Sequence, residues 1–456
     1  MTDTSTTRES STPGDVAPIA SKGPDGSPLR VVILNQYYMP DVASTGHLLH
    51  ELATQLAEMG FDVEVLTSRP SYGPPETWVE CPMRETVDGV TIKRLWTTRF
   101  SKDNLLGRAV NYITFMGQLF LRVLLTSRKD TVYLYTTNPP FLGFVGAIVS
   151  LFRRHSYVML LHDAYPQMAV WVGTIRRNGI AEKVWHFINK MSYGRAKQSI
   201  VLCQKAKNLV CDTYSIPRER VHVVPNWADS KALNIKPKPQ SEFATAHNLQ
   251  DHFVAMYSGN LGLYYEFATL LDAAEMLRDE PFRMVFIGSG GKRNWLADEI
   301  IKRELTNTLL LPYQPYEKLG DSLAACDASF VTIAQGIEGI SFPSKLYTSL
   351  AVGRPILALS ESDSELKDLI TEHRVGGWSA LGDAETLAAN IRALMADPPE
   401  AEQTGNRARR LFERAFTLRA CARQYAEVLL ASHPLADAER TATESINVEA
   451  EESRIV

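Results

Sequence analysis

Twice along this chain, short runs of β-branched and aromatic residues alternate with longer stretches whose leucines recur at helical spacing, and a less regular polar segment separates the two series. The first series starts with "RVVILNQYY". It passes into "STGHLLHELATQLAEMG", where Leu48, Leu49, Leu52 and Leu56 share a helical face ahead of a terminating Gly60, and then into "DVEVLTS". This is a βαβ unit. Strands follow at "TVYLYTT", "YVMLLHD", "SIVLC" and "VHVVPN", with helices expected over residues 141–152 and around "IAEKVWHFINKMS". Such alternation predicts a parallel sheet covered by helices on both faces.

The polar break, Ala228 to Asn248, reads as a linker. Beyond it the alternation restarts with "FVAMYSGN", a helix from Glu266 to Arg278, "FRMVFIGSG", a helix to Arg303, "TLLLPY", "ASFVTI", a helix opening at Lys345, and "PILALS". Two α/β domains are expected, over 29–228 and 249–412, with a helix near 413–431 returning to complete the first. A chain of 456 residues has enough length for both cores. Ligands of open α/β sheets lie at the carboxyl ends of the strands, so a cleft between two facing sheets is the expected site.

Composition removes several classes. A net charge of −4 leaves no overall footprint for nucleic acid. Five scattered cysteines lack the spacing of a zinc site or a disulfide framework and read as reduced thiols of a cytoplasmic protein, and no metal is expected. Residues 1–28 read as a disordered leader without the apolar centre of a secretory signal, and 432–456 as a disordered acidic tail. No window offers the roughly 18 uninterrupted apolar residues of a membrane span. "FLGFVGAIVSLF" is too short for one and reads as a buried helix or one that dips into a membrane surface.

Several strand ends carry residues suited to binding. Lys345, in "ISFPSKLYTSLAVGRP", stands at a helix start, where the helix field disfavours a cation unless an anion joins it. Ser258, Gly259, Asn260 and Gly262, in "SGNLG", offer backbone N–H groups to a diphosphate. Gly288 and Gly290, in "GSGG", resemble part of a dinucleotide fingerprint, but the acid expected about 20 residues on is absent from "TLLLPYQP", which disfavours a Rossmann dehydrogenase. His162 and Asp163 end an apolar strand and are closed off by Pro166, a position open to a structural or a catalytic reading. Ser44, Thr45 and Gly46 open the first helix, as an ordinary turn or as a loop facing ligand.

Taken together, "NQYYMPDVASTGHLLHELATQLAEMGFDVEVLT", "VHVVPNWAD", "YSGNLGLYYEFATLLDAAEML", "FIGSGG", "LLPYQPYEKLGDSLAACDASF" and "FPSKLYTSLAVGRP" resemble the retaining glycosyltransferases of family 4. The likeness runs from about Leu29 to Leu430 and is strongest to the bacterial subgroup that builds cell-surface polysaccharide, including fucosamine and colanic-acid transferases. It implies an α/β chain of GT-B fold, two Rossmann-like parallel-sheet domains facing across a cleft. The implied reaction transfers a sugar, with retention, from a nucleoside-diphosphate sugar, UDP favoured over GDP, with neither cofactor nor metal.

In that family's terms Lys345 and its helix hold the diphosphate and Ser258 to Gly262 complete the cradle. Gly288 and Gly290 border the nucleotide, and Tyr313 lies in a segment that meets the base edge. Ser341, Pro343, Ser344 and Thr348 fall on the donor side, Glu338 and His162 orient the sugar with Asp163 beside them, and Ser44, Thr45 and Gly46 form the acceptor-side loop. The chain departs from the family where many relatives carry an arginine and a lysine, here Asn260 and Tyr265, and where they carry paired glutamates, here Ile340 and Thr348.

Charge suggests the acceptor. From Lys93 to Lys129, eight Lys and Arg residues face a single acid, Asp103, with aromatics and leucines between them. That composition suits an anionic membrane surface, or equally a packed helix with a solvated basic edge. With the resemblance added, it implies peripheral attachment at the inner face of the cytoplasmic membrane and an undecaprenyl-diphosphate-linked saccharide acceptor. Rival readings are a nucleotide-sugar epimerase of the same fold, for which only His162, Asp163 and Glu338 could move protons, and a sugar-nucleotide-binding protein with little turnover.

Overall fold

The structure is a computed structural model that describes residues 26–434 apart from 42, 73–77, 101–104 and 229–236. Most of the expected leader and tail, and the first part of the expected linker, lie outside the described residues. Two sheets organise the rest. The first contains β1 (Arg30–Leu34), β2 (Asp62–Ser68), β3 (Arg84–Val87), β4 (Val90–Leu95), β5 (Thr131–Thr136), β6 (Ser156–Leu161), β7 (Gln198–Val201) and β8 (Val221–Val223), in the order β3-β4-β2-β1-β5-β6-β7-β8. All pairs are parallel except β3 with β4. Strands β5 and β6 are buried along their whole length, as continuous apolar runs covered on both faces must be.

One face of this sheet carries α1 (Ser44–Glu58) and the last helix of the chain, which bury Leu49, Leu52 and Leu56 against Cys421, Tyr425 and Leu429. On the other lie α2 (Leu105–Thr126), α3 (Leu142–Phe152), α5 (Ile180–Arg195) and α6 (Gln204–Tyr214), with Phe115, Leu119, Val145 and Val210 among their core residues, while the short α4 (Gln167–Trp171) turns Met168 and Trp171 to the second domain's core.

The second sheet has the order β11-β10-β9-β12-β13-β14 and is wholly parallel. Its strands are β9 (Phe253–Ser258), β10 (Phe282–Ile287), β11 (Thr308–Leu311), β12 (Ala328–Thr332), β13 (Ile356–Ser360) and β14 (Gly376–Ala380). The segment expected as linker already belongs to this domain: α7 (Glu242–Ala246) is capped by the Ser241 hydroxyl, and Phe243, Ala244 and Leu249 enter its core. The remaining helices are α8 (Ala268–Met276), α9 (Arg293–Lys302), α10 (Leu319–Ala324), α11 (Lys345–Val352), α12 (Glu365–Glu372), α13 (Ala384–Ala396) and α14 (Pro398–Ala415). α15 (Leu418–Ser432) then crosses back to the first domain, where the Ser156 hydroxyl donates to the Ser432 carbonyl at 2.6 Å.

Sequence-distant strands meet at β1/β5 in one sheet and β9/β12 in the other, so strand order reverses there and the loops beyond the strand ends diverge to leave a crevice. Polar contacts tie the two crevices together. Glu365, at the start of α12, accepts from the backbone N–H groups of Gln204 and Lys205 and so caps α6 across the domain boundary. The Lys205 ammonium reaches the Asp363 carbonyl and lies 3.4 Å from the Glu338 carboxylate. The Ala164 N–H donates to the Ile340 carbonyl at 2.7 Å.

Because Glu365 satisfies two donors at an otherwise orphaned helix end, Glu365→Ala lowers stability by about 1–2 kcal/mol. A thermal melt reads this as a lower midpoint, with a smaller loss for Glu365→Gln, which keeps one acceptor oxygen.

Candidate functional site

The second domain's half of the cleft is built where two strand-end loops interlock. After β9 the chain runs through Gly259–Gly262, and after β10 through Gly288–Lys292. The Gly259 N–H donates to the Ile287 carbonyl, Leu261 N–H to the Ser289 carbonyl, and Lys292 N–H to the Leu261 carbonyl, at 2.8, 2.8 and 2.9 Å. The N–H groups of Gly259 and Leu261, expected to point at a diphosphate, therefore close this loop pair instead. A Cβ on Gly288 would stand 1.9 Å from the Gly259 carbonyl oxygen, and one on Gly290 2.5 Å from the Asn260 Oδ1. Both have positive φ, +148° and +153°. Glycine is required here by backbone approaching backbone, which differs from a dinucleotide fingerprint.

Lys345 opens α11 and lays its side chain across the first of these loops. Its Nζ donates to the Asn260 carbonyl at 3.2 Å and stands 4.0 Å from the centre of the Tyr265 ring and 4.7 Å from that of Tyr257. Gly259 makes room for it: a Cβ there would lie 2.6 Å from Lys345 Cε. The Tyr257 hydroxyl donates to the same Asn260 carbonyl at 2.7 Å, so one oxygen serves both groups. No carboxylate pairs with this ammonium among the described residues. Loss of hydration brings its pKa down to about 7. Tyr265 thus occupies a position that carries a lysine in many members of the resembled family, while a lysine from another helix sits over its ring.

The first domain faces this ammonium with the loop after β6. His162 N–H donates to the Thr137 hydroxyl at 3.3 Å, while its buried Nδ1 has no hydrogen-bond partner among the described residues. Burial pushes the imidazole down to about 4, so it is neutral at pH 7. Burial raises the Asp163 carboxyl, and a hydrogen bond from Ser341 opposes that rise. The same carboxylate bears on the hydroxyls of Tyr264 and Tyr265, which places it opposite the lysine box.

Glu338, expected at the donor sugar, is a correction. Its carboxylate is 3% exposed, accepts from Leu366 N–H at 3.1 Å and pairs with Lys205, so it caps α12 and joins the domains. Burial still raises its carboxyl above the usual range. Gly46 presses on its own preceding loop, a Cβ standing 3.2 Å from the Tyr37 carbonyl oxygen, while the exposed Ser44 and half-buried Thr45 sit in the first turn of α1. Pro343 is buried with its carbonyl taken by Leu346 N–H, and Ser344 is the exposed residue before α11. Thr348 is partly buried one turn into α11, Gly262 lies beneath Asn260 and Tyr264, and the exposed Tyr313 reaches the Ser289 carbonyl at 3.5 Å.

Sequence reasoning missed the ring box of Tyr257 and Tyr265. It also missed a rim of tyrosines on the first domain, where Tyr37 and Tyr72 meet at 5.1 Å and the Asp41 carboxylate accepts from Ser71 and Tyr72 N–H at 2.9 Å. The repeated Tyr in "NQYY" and "LYYEF" was the available signal.

Comparison with known proteins follows the same division. Residues 45–227 match the glycosyl transferase 4-like domain, and residues 239–411 the glycosyl transferases group 1 domain. The probable glycosyltransferase WbjE of Pseudomonas aeruginosa is 26% identical over 365 residues, covering 79% of this chain and 88% of that one. The putative colanic acid biosynthesis glycosyl transferase WcaI of Escherichia coli K12 is 22% identical, over 86% of this chain and 98% of the relative. Among solved structures, Anabaena HepE in complex with UDP-glucose superposes with a TM-score of 0.65 at 16% identity, covering 88% and 99% of the two chains. WaaG, a glycosyltransferase of lipopolysaccharide biosynthesis, does so at 0.63 and 14%, over 88% and 99%.

The loop pair that seats Lys345 can be broken by one methyl group. Gly288→Ala drives a Cβ into the Gly259 carbonyl and costs at least about 2 kcal/mol. The expected readout is a lower melting midpoint together with loss of any nucleotide-induced stabilisation.

Proposed function

Built of a glycosyl transferase 4-like domain followed by a group 1 domain, the chain belongs to the glycosyltransferases of GT-B fold, and we propose that it moves a sugar from a UDP-sugar, with retention, onto a polyprenyl-diphosphate-linked saccharide in cell-surface polysaccharide synthesis. A role in polysaccharide biosynthesis draws support from the relatives WcaI, named for colanic acid biosynthesis, and AmsK of Erwinia amylovora, named for amylovoran biosynthesis. UDP as the donor's nucleotide draws support from HepE, whose structures hold UDP and UDP-glucose.

The observation that carries the reading is the ammonium of Lys345 at the first turn of a helix, short of hydration and without a carboxylate partner among the described residues. A diphosphate placed there would meet the lysine and the helix N-terminus together, and the cost of burying the cation would be offset by the anion it binds. As the sugar–phosphate bond breaks, charge grows on that diphosphate. A fixed cation in a dry site stabilises it where water would have to reorganise. The departing phosphate can take the acceptor's proton on the same face of the sugar, so retention needs no strong base. Neutral His162, whose Nδ1 has no partner among the described residues, is suited to a sugar hydroxyl, and Asp163 can anchor the opposite rim.

The test is a thermal-shift and turnover panel of UDP- and GDP-sugars. Lys345→Met abolishes the stabilisation by UDP-sugar and lowers kcat by about 10²–10³-fold. Equal shifts in wild type and variant would remove the phosphate role of Lys345, and binding without turnover on any lipid-linked acceptor would favour the binding-protein reading.

Binding also depends on pH with a definite sign. The lysine is charged below about 7 in the free protein, and the anion raises that pKa. Affinity for a UDP-sugar, whose diphosphate does not ionise in this range, therefore falls about tenfold per pH unit above 7 and levels off below it. Lys345→Arg, charged throughout, flattens the profile in a calorimetric titration.

Stability runs the other way. The unfolded chain holds this proton up to the ordinary lysine range and the folded chain only to about 7. Lys345 therefore destabilises the free protein progressively as pH falls towards 7, and by a constant amount below it. At pH 7 Lys345→Met raises the ligand-free melting midpoint by roughly 2–4 °C.

A further inference from the structure

Helix α2 is apolar on two opposite sides. Its inner stripe, Phe115, Leu119 and Val123, is buried in the first domain's core. The outer stripe, Leu106, Ile113, Leu121 and Leu125, is open to solvent, with Ile113 69% and Leu125 74% exposed. A solvated helix face is normally polar. The two neighbouring helices extend this surface: Phe152, at the end of α3, is 71% exposed, and Ile180 and Phe187 on α5 are 83% and 64% exposed. All three helices lie side by side on one face of the first sheet, and an exposed apolar patch of this extent on a soluble surface marks an interaction site.

Charge decides among occupants. Between residues 105 and 197 there are twelve Lys and Arg against three Asp and Glu, in a chain whose net charge is −4. Helices α2 and α3 contain no acid at all. Cations flank the apolar stripes, with Arg122 on α2, Arg153 and Arg154 after α3, and Lys183 and Lys190 on α5. Two copies of this face would repel in an isologous contact. Apolar side chains among cations instead match the headgroup and acyl boundary of an anionic bilayer.

Length and composition would let α2 cross a membrane. The structure holds it in place: besides its buried stripe, the Asn111 side chain accepts from the Thr98 hydroxyl at 2.8 Å and from Phe100 N–H at 3.1 Å, and donates to the Phe100 carbonyl at 2.9 Å. A helix so fixed can lie on a membrane and cannot span it.

We infer that the outer faces of α2, α3 and α5 seat the first domain on an anionic lipid bilayer, with α2 lying in the plane of the interface. The surface stands apart from the nucleotide site, so each can fail without the other. Vesicles of phosphatidylcholine with and without phosphatidylglycerol are floated with the full chain. The triple variant Ile113→Ser, Leu121→Ser, Leu125→Ser changes only exposed side chains and keeps the circular dichroism spectrum and the UDP thermal shift of the wild type, while its affinity for phosphatidylglycerol vesicles falls at least about tenfold. Arg153→Ser with Arg154→Ser lowers that affinity by roughly tenfold and leaves binding to neutral vesicles unchanged. Equal vesicle binding by wild type and the triple variant overturns the inference. So does a wild-type dimer that the serines dissociate and that binds no vesicles.

Discussion

The cleft face of the second domain is organised around an ammonium that has given up water for two aromatic rings and one carbonyl. Lys345 reaches that position because Gly259, Gly288 and Gly290 let two strand-end loops meet backbone to backbone, which turns the Asn260 carbonyl and the rings of Tyr257 and Tyr265 towards it. Ring faces attract a cation, each by about 0.5–2 kcal/mol, yet they do not replace its full hydration. The arrangement is therefore held by the surrounding fold rather than by its own energy, a usual condition of a group kept ready for a ligand of opposite charge. It also explains how Asn260 and Tyr265 can stand in this cleft without leaving it uncharged.

Contacts between the domains have a different character. Glu365 on the α6 terminus, Lys205 between Glu338 and Asp363, and Ala164 N–H on the Ile340 carbonyl are polar and directional, and they flank an apolar seam in which Met168 enters the second domain's core while Ile340 and Phe342 pack against the first. Asp163 and His162 belong to one domain and Lys345 to the other. Ser341 of the second domain bonds the Asp163 carboxyl of the first and so joins the two sides there. Glu338, expected at the sugar, instead contributes to this boundary through Lys205 and the start of α12.

Those elements whose residues are buried on both faces were legible in the sequence. "TVYLYT" and "SYVMLL" become β5 and β6, with every residue buried, and the helix opening at Lys345 begins there. Edge elements were not: β3 is the short, mostly exposed "RETV", β14 is the glycine-bearing "GGWSA", and α14 is so polar that only a narrow stripe around Ala408 and Phe412 is apolar. Half-solvated segments carry little periodic signal, and tertiary pairing decides them. The site divides in the same way. Lys345 stood out because a cation at a helix start breaks a local electrostatic preference, whereas its partners are a backbone carbonyl and two rings that no sequence spacing relates to it. Glu338 looked free because nothing local announces Lys205.

The direction of α2 joins the surface to the site. It connects β4 to β5, both parallel to β1, and so runs antiparallel to the sheet with its N-terminal end at the carboxyl ends of the strands. That end is where the cleft opens. Burial raises the hydroxyls of Tyr37 and Tyr165, Tyr112 of α2 adds to the rise, and the Arg108 guanidinium opposes it, so the first turns of α2 border the same tyrosine rim that faces Lys345. A bilayer held along the outer stripe of this helix would therefore meet the protein beside the cleft mouth. An acceptor whose saccharide is tied to a lipid could then present its sugar without leaving the interface, by a diffusive search in two dimensions. The second domain, which exposes fewer large apolar residues (Leu263, Met276, Trp295, Ile301 and Tyr313), would remain free to open for the water-soluble donor. One domain that stays on the surface and one that moves above it is the division of labour that the proposed lipid-bound acceptor and a soluble, highly charged donor would demand.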